Sequence, residues 1–400
     1  KVSMKTLDDR VRDVLRVKFQ IGLFDRPYIT DAKATAALVN SAAHQRVALR
    51  AARESIVLLK NDSRVLPLSK SIKSIAVIGP NADDASLTNY RYGPSAVKSI
   101  TVLQGIKNLL GSGVQVNYAK GCEVVDERWP ESEVLPEPMS ASEQAGIAEA
   151  VEAAKRSEVA VVVLGDSRRT TGESLGRTSL DLPGRQLDLV KAVHAAGKPV
   201  IVVLLNGRPL SINWVNKYVP AIVEGWFPGA QGGTAIAEVL FGDYNPSGKL
   251  TVTFPKTAGQ IPFNFPTKPK AQWEGEKSRV NGALYYFGHG LSYTNFLYSY
   301  LKITPLIQST TGEIAVTVSI QNTGTREGTE VVQLYVRDLV SSVTTYEKNL
   351  RGFARVTLAP REAKTITFTL KPEHLALWNR DMQFVVEPGA FPVMVGSSSE

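Results

Sequence analysis

One glutamate, Glu173, sits at the middle of a polar, glycine-punctuated stretch, TTGESLGRTSLDLPG (170–184). The stretch follows the apolar run VAVVVLG (159–165) and precedes a helical pattern, which puts Glu173 on a loop at the end of a buried strand. Glycines at 172, 176 and 184 let the backbone bend, and Thr170, Thr171 and Ser174 offer local hydrogen bonds. A carboxyl group so placed can act as a general acid and base once burial against a partner surface tunes it. The bland alternative is a solvated loop glutamate paired with Arg168, Arg169 and Arg177. On the residues alone both readings stand.

Other strand-end loops carry less. GPNADD (79–84) could cradle a phosphate, but it lacks the GxGxxG spacing of a dinucleotide site and the GKS or GKT ending of a P-loop, and reads as a turn. Just beyond it, LTNYRYG (87–93) offers Asn89, Tyr90 and Tyr92; an aromatic ring there can stack on a sugar face or pack at a rim. NGRP (206–209) and FPGAQGG (227–233) are further turns without a nucleophile and base. His44, His194, His289 and His374 are scattered, no GxSxG elbow occurs, and Cys122 has no second cysteine for a disulfide or zinc site. These residues call for no metal and no cofactor.

The elements that must hold Glu173 follow from periodicity. With 400 residues, 43% hydrophobic and 21% charged, the chain has the composition and length of two or three globular domains. Its net charge of +8 is spread without a basic block, which argues against nucleic acid as a partner. The longest apolar runs, VAVVVLG and PVIVVLLNG (199–207), fall far short of the ~20 residues of a membrane span and read as strands, so no membrane partner is expected. The opening KVSMKTLDDRVRDVLRVKF (1–19) reads as an amphipathic charged helix rather than a secretion signal, with Thr6 as its N-cap and Gly22 at its close.

Further on, a helix over 44–59 precedes the strand KSIAVIGP (73–80), a helix over 141–157, the strand 159–164 and a helix over 183–196. The strands 199–205 and AIVEGWF (221–227) and the helix GGTAIAEVLFG (232–242) complete the series. This alternation predicts an α/β domain with a mostly parallel sheet covered on both faces, whose ligands bind beyond the carboxyl ends of the strands. After about residue 296 the runs EIAVTVSIQNTG (313–324), EVVQLYVRD (330–338), KTITFTL (364–370) and FPVMVGSS (391–398) alternate between turn clusters. They predict an immunoglobulin-like β-sandwich of about seven strands. The fold class is α/β plus all-β.

In that order, ARESIVLLKND with LPL, IAVIGPNADD, TGESLGRTSLDLPGRQ, KPVIVVLLNGRPL, WFPGAQGG, FGDYNPSGKLTVTFP, LYYFGHGLSYT and VSIQNTGTREGTEVVQLYV resemble the C-terminal half of a glycoside hydrolase family 3 β-glucosidase. The resemblance covers essentially the whole chain. It implies an α/β sandwich and a fibronectin-type-III-like domain behind an N-terminal (β/α) barrel. Residues 1–27 would be the last helix of an otherwise absent barrel and 28–50 a linker with the start of the next domain. Residues 51–268 would be the α/β sandwich with the acid/base loop, 269–297 a connecting segment, and 298–400 the fibronectin-type-III-like domain.

The resemblance further implies that Glu173 is the general acid/base of a retaining, exo-acting β-glucosidase whose nucleophilic aspartate lies in the barrel, since retention needs two carboxylates. It implies that Tyr90, with Asn89, flanks the aglycone subsite, although this chain has TNYRYG where GNY or GNW is common, and Gln231 where a glutamate is usual. The implied partners are the N-terminal barrel of the same enzyme and a β-glucoside or oligosaccharide, with a homodimer as a further option. The implied compartment is periplasmic or secreted. A β-xylosidase or exo-β-glucanase of the same family is one alternative, and a noncatalytic sugar-binding or interaction module the other.

Overall fold

A computed structural model describes residues 2–28, 30–85, 97, 99–260, 262–269 and 280–400. The chain divides into two compact units, Lys1–Val47 and Ala48–Glu400.

The smaller unit opens with helices α1 (Met4–Gln20) and α2 (Ala32–Leu38). Ser3, rather than Thr6, caps α1: its hydroxyl accepts the Thr6 N–H at 3.1 Å, which satisfies a free first-turn donor and starts the helix earlier than the acidic pair suggests. Gly22 follows the last turn at φ +70, the left-handed conformation expected of a closing glycine. Asp9 pairs with both Lys5 and Arg12, while Leu7, Val11, Val14 and Phe19 remain exposed. The segment 28–50, a linker on sequence grounds, contains α2, which Asp31 caps at 2.9 Å.

Helix α3 (Ala42–Ser55) leads into the larger unit. It ends at Ser55 rather than Leu59, and Ile56 to Leu59 are buried because β1 (Val57–Asn61) enters the sheet. A short apolar run fits a helix end and a buried strand equally well, and tertiary pairing decides. There follow β2 (Ser74–Ile78), α4 (Val102–Leu110), β3 (Gln115–Ala119), α5 (Glu131–Val134), α6 (Ala141–Lys155) and β4 (Val159–Gly165). Then come α7 (Gln186–Ala195), β5 (Val200–Leu205), α8 (Asn213–Tyr218), β6 (Ala221–Glu224) and α9 (Gly232–Phe241).

These strands form one sheet of order β1-β6-β5-β4-β2-β3, parallel except for the edge strand β1, which runs antiparallel to β6. Alternate side chains serve the two faces. Ile78, Val162, Leu164, Val202 and Ile222 meet Ile147 of α6, Leu189 and Val193 of α7 and Val215 of α8. Ile75, Val77, Val161, Val203 and Val223 meet Leu103 and Ile106 of α4 and Ile236 and Leu240 of α9. Full burial of each such side chain contributes roughly 1.5–3 kcal/mol before chain entropy is set against it.

The remaining strands are β7 (Phe296–Thr304), β8 (Ile314–Asn322), β9 (Gly328–Val336), β10 (Asn349–Leu358) and β11 (Ala363–Leu370). The short helix α10 (Pro372–Leu375), β12 (Leu377–Trp378), β13 (Phe384–Val385) and β14 (Val393–Gly396) close the chain. Antiparallel sheets β10-β9-β14 and β11-β8-β7 enclose a core of Val316, Val318, Ile320, Val332, Leu334, Leu358 and Leu370. Arg355 on β10 ties this sandwich to the α/β layers through Glu54 at 2.9 Å and Ser247 at 3.0 Å. No described helix is long and apolar enough to cross a membrane.

Candidate active site

The chain passes from β2 through α4 to β3 on one side, then returns through α6 to β4 on the other side of β2. This reversal opens a crevice beyond the carboxyl ends of β2 and β4, the usual place for a ligand on such a sheet. Asn81, just past β2, joins the ends of two neighbouring strands by donating Nδ2 to the Asp166 carbonyl at 3.1 Å and the Leu205 carbonyl at 3.4 Å.

Glu173 stands on the loop that leaves β4 here. The loop starts at Gly165, whose φ of +140 and whose contact with the Leu205 carbonyl leave no room for a Cβ. Its base is closed by Gln186, the first residue of α7. The buried Gln186 amide accepts the Gly165 N–H at 2.7 Å and donates to the Gly165 carbonyl at 2.9 Å and the Pro183 carbonyl at 3.1 Å. A side chain thus continues the backbone ladder where the sheet has ended.

Inside this closure one buried carboxylate, Asp166, holds both arms of the loop. Its Oδ1 accepts the Thr170 hydroxyl at 2.9 Å and lies 3.6 Å from Arg177 Nη1. Its Oδ2 accepts the Gly207 N–H at 3.3 Å and lies 3.7 Å from Arg208 Nε, while Arg208 Nη2 donates to the Thr170 carbonyl at 2.7 Å. Arg177 also meets Glu133 of α5 at 3.2 Å, the Asp181 carbonyl at 2.6 Å, and the ring of Trp129 with its guanidinium carbon 5.9 Å from the centroid. Burial opposes the charge on Glu133, but the Thr178 N–H and the Arg177 guanidinium hold its carboxyl below the ordinary range.

Glu173 itself is exposed at the tip. The Leu175 N–H donates to the Gly172 carbonyl at 3.1 Å, closing a tight turn with Glu173 and Ser174 at its centre. Ser174 has φ +64, the left-handed value that the third position of such a turn requires and that a serine adopts with strain. Among the described residues Glu173 has no hydrogen bond or ion pair. Arg177 is not the surface partner of Glu173 that its proximity in sequence suggests; its side chain turns inward to Asp166 and Glu133.

A second buried carboxyl, Glu224, ends β6 on the same edge of the sheet. Burial pushes it up to about 8, against the pull of the Trp226 N–H and the Asn206 amide, and the charge of Asp166 adds to the rise. Asn89 and Tyr90 lie outside the described residues. Gln231 accepts the Thr234 hydroxyl at 3.1 Å at the start of α9, a local helix-end bond. His289 stacks on Tyr285 at 5.2 Å and bonds the Leu59 carbonyl at 2.9 Å, which makes it a packed histidine. Among the described residues no group of His, Cys, Asp or Glu is placed to hold a metal.

The sequence reading passes over Asp166, Glu133, Arg208 and Glu224. Two of them carried a signal: Asp166 in VVVLGD and Glu224 in AIVEGWF are carboxylates embedded in apolar runs, where an unpaired charge has no place.

Together these elements make a mostly parallel α/β sandwich with a braced, carboxylate-bearing loop at its switch point, followed by a β-sandwich, an architecture that fixes no function by itself. The glycosyl hydrolase family 3 C-terminal domain matches residues 56–293 and a fibronectin type III-like domain matches residues 330–399. The chain belongs to glycosyl hydrolase family 3. It is 41% identical to the periplasmic beta-glucosidase of Salmonella typhimurium over 100% of its own length and 55% of that protein's. It is 42% identical to a beta-xylosidase of Formosa agariphila over 99% of its length and 54% of that protein's. Among solved structures, a beta-glucosidase from Listeria innocua in complex with isofagomine superposes with a TM-score of 0.86 at 31% identity, covering 100% of this chain and 55% of that one. The chain therefore spans about half the length of the relatives it matches.

Proposed function

We propose that this chain supplies the general acid/base of a retaining, exo-acting β-glucosidase that removes terminal nonreducing β-D-glucosyl residues, the nucleophile coming from the N-terminal barrel of the same enzyme. The observation that carries this reading is the placement of Glu173: an exposed carboxylate at the tip of a turn whose two arms are fixed on one buried aspartate. An exposed carboxylate on a rigid arm suits a site completed by another surface. The family membership and the beta-glucosidase names of two matched relatives point the same way.

In the first step a barrel carboxylate attacks the anomeric carbon and the glycosidic C–O bond breaks. Protonated Glu173 gives its proton to the departing oxygen. In the second step Glu173, now a carboxylate, takes a proton from water as that water displaces the enzyme from the sugar. The two carboxyl groups must then stand about 5–5.5 Å apart.

On this reading 1–27 is the last helix of the barrel, 51–268 the sandwich that carries the acid/base, and 298–400 the fibronectin-type-III-like domain; Tyr90 and Asn89 border the aglycone subsite. A periplasmic or secreted setting follows the Salmonella relative's name. A β-xyloside as substrate is the second reading, favoured by the name of the Formosa relative.

The test uses the full-length enzyme with Glu173→Ala. Hydrolysis of alkyl β-glucosides should drop by about 10²–10⁴-fold, aryl glucosides with good leaving groups should suffer less, and azide should restore turnover as a β-glycosyl azide. Equal loss on both substrate types without azide rescue would remove Glu173 from the reaction.

A further inference from the structure

Arg351 is the extra residue of a bulge in β10. Leu350 pairs with Tyr335 and Gly352 with Leu334, so Arg351 faces no residue of β9, and a bulge of this kind re-aims the side chain it carries. Arg351 lines a cavity of about 480 Å³ in the β-sandwich, together with Asp338 just past β9, His374 of α10 and Trp378 of β12. That volume lies in the range of small-molecule sites.

Two groups in the cavity wall are unanswered. Both carboxylate oxygens of Asp338 and the Nε of Arg351 are buried, and none of the three has a hydrogen-bond partner. The Val340 N–H pulls on the Asp338 carboxyl short of hydrogen-bond geometry, while burial and the charge of Glu387 push it up. Among the described residues neither Asp338 nor Arg351 makes an ion pair, so opposite charges border one cavity without neutralising each other. Buried polar groups are as a rule satisfied, by protein, water or a ligand. An anion would be repelled by Asp338 and a cation by Arg351. A neutral molecule whose hydroxyls both donate and accept answers the two together.

The rim narrows the class further. Trp378 is 59% exposed although it packs on Phe384 of β13, with ring centroids 5.3 Å apart and planes tilted by 41°. A fixed indole with so much free surface is a platform for the C–H face of a sugar ring. His374 accepts the Lys371 N–H on Nδ1 at 3.1 Å, which leaves its Nε2 as a further donor.

We propose that this cavity is an accessory binding site for a neutral saccharide chain, whose hydroxyls bond Asp338 and Arg351 while one of its rings stacks on Trp378. Side-chain rotation on binding turns the covered atoms of Asp338 and Arg351 to those hydroxyls. The site binds and does not react. It is independent of the acid/base role of Glu173; only the β-linkage of the probe below is taken from the glucosidase reading.

The test is native electrophoresis of the full-length enzyme through a gel containing soluble β-glucan, with wild type beside Trp378→Ala, Asp338→Ala and Tyr300→Ala. Tyr300 is an exposed aromatic on β7 outside the cavity and serves as the control. The Glu173 loop is the same in all four proteins, so differences among them report the cavity. Wild type and Tyr300→Ala should be retarded alike. Trp378→Ala and Asp338→Ala should bind about tenfold more weakly, with kcat and KM on a small aryl glycoside unchanged. An unretarded wild type, a Trp378→Ala retarded as fully as wild type, or an equal loss in Tyr300→Ala overturns the proposal. If Asp338→Ala does not fold, hydrogen exchange of the wild type decides: cellotetraose must slow exchange in residues 337–351, and unchanged exchange refutes the site. Soluble starch is run in parallel. Retardation by starch alone keeps the saccharide site and detaches it from the β-glucosidase reading, which azide rescue of Glu173→Ala judges separately.

Discussion

Arg177 Nη1 stands 3.6 Å from Asp166 Oδ1 with the two side chains 2% and 0% exposed, and this pair fixes the arm that follows Glu173. Removing one member of a buried pair leaves the other charge stranded, at a cost of about 3–5 kcal/mol. Arg177→Ala strands Asp166 and Glu133 together. It should lower the stability of the larger unit by that amount in urea unfolding and, on the proposed acid/base reading of Glu173, depress the full-length enzyme's kcat more than its KM because the turn is misplaced. Arg177→Lys keeps the charge and loses the fork that reaches both carboxylates, so an intermediate loss is expected. A fully stable Arg177→Ala would show that the pair is spectator to the fold.

Glu173 presents the opposite case. It has no hydrogen bond or ion pair among the described residues and is exposed, so Glu173→Gln should change unfolding free energy by no more than about 0.5 kcal/mol while abolishing most turnover. Thermal melts set beside kcat give the answer. A large stability loss would mean that the carboxylate supports the loop instead of serving a substrate.

How far the sequence reaches is visible in this contrast. Near-continuous Val, Ile and Leu runs place β2, β4 and β5 within a residue or two, because a strand buried on both faces leaves no other pattern. The edge strand β1 is hidden in the tail of a helical period, and α4 and β3 are too short and mixed to declare themselves. Glu173 is legible because a glycine-punctuated loop after a strand is a local feature. The brace is not, since Asp166 meets Arg208 across neighbouring strands and Arg177 meets Glu133 from a helix far back in the chain. Spacing along a chain cannot report contacts that only the sheet order creates.

The closure at Gln186 gives a stability test that leaves every charge in place. Gln186→Leu strands the buried Gly165 N–H and carbonyl, each group costing about 1–3 kcal/mol when left unpaired. The variant should melt earlier and show a faster-exchanging segment 166–185, with the sandwich strands β8 and β9 still protected. Uniform loss of protection across both would indicate global unfolding and not an opened loop.

Glu133 and Glu224 make opposite demands on pH. Glu133 binds its proton more weakly folded than unfolded, so its contribution is present above the unfolded value of about 4.5 and is lost as pH falls through the folded one. Glu224 binds its proton more tightly folded than unfolded. Its contribution is complete below about 4.5 and is lost as pH rises toward about 8, because over that window the native state alone retains the proton. Wild-type stability should therefore fall relative to Glu224→Gln from acid to mildly alkaline pH, and the difference should level off above about 8. Urea unfolding of both proteins across this range measures it. Parallel curves would place Glu224 as a charged residue already at neutral pH.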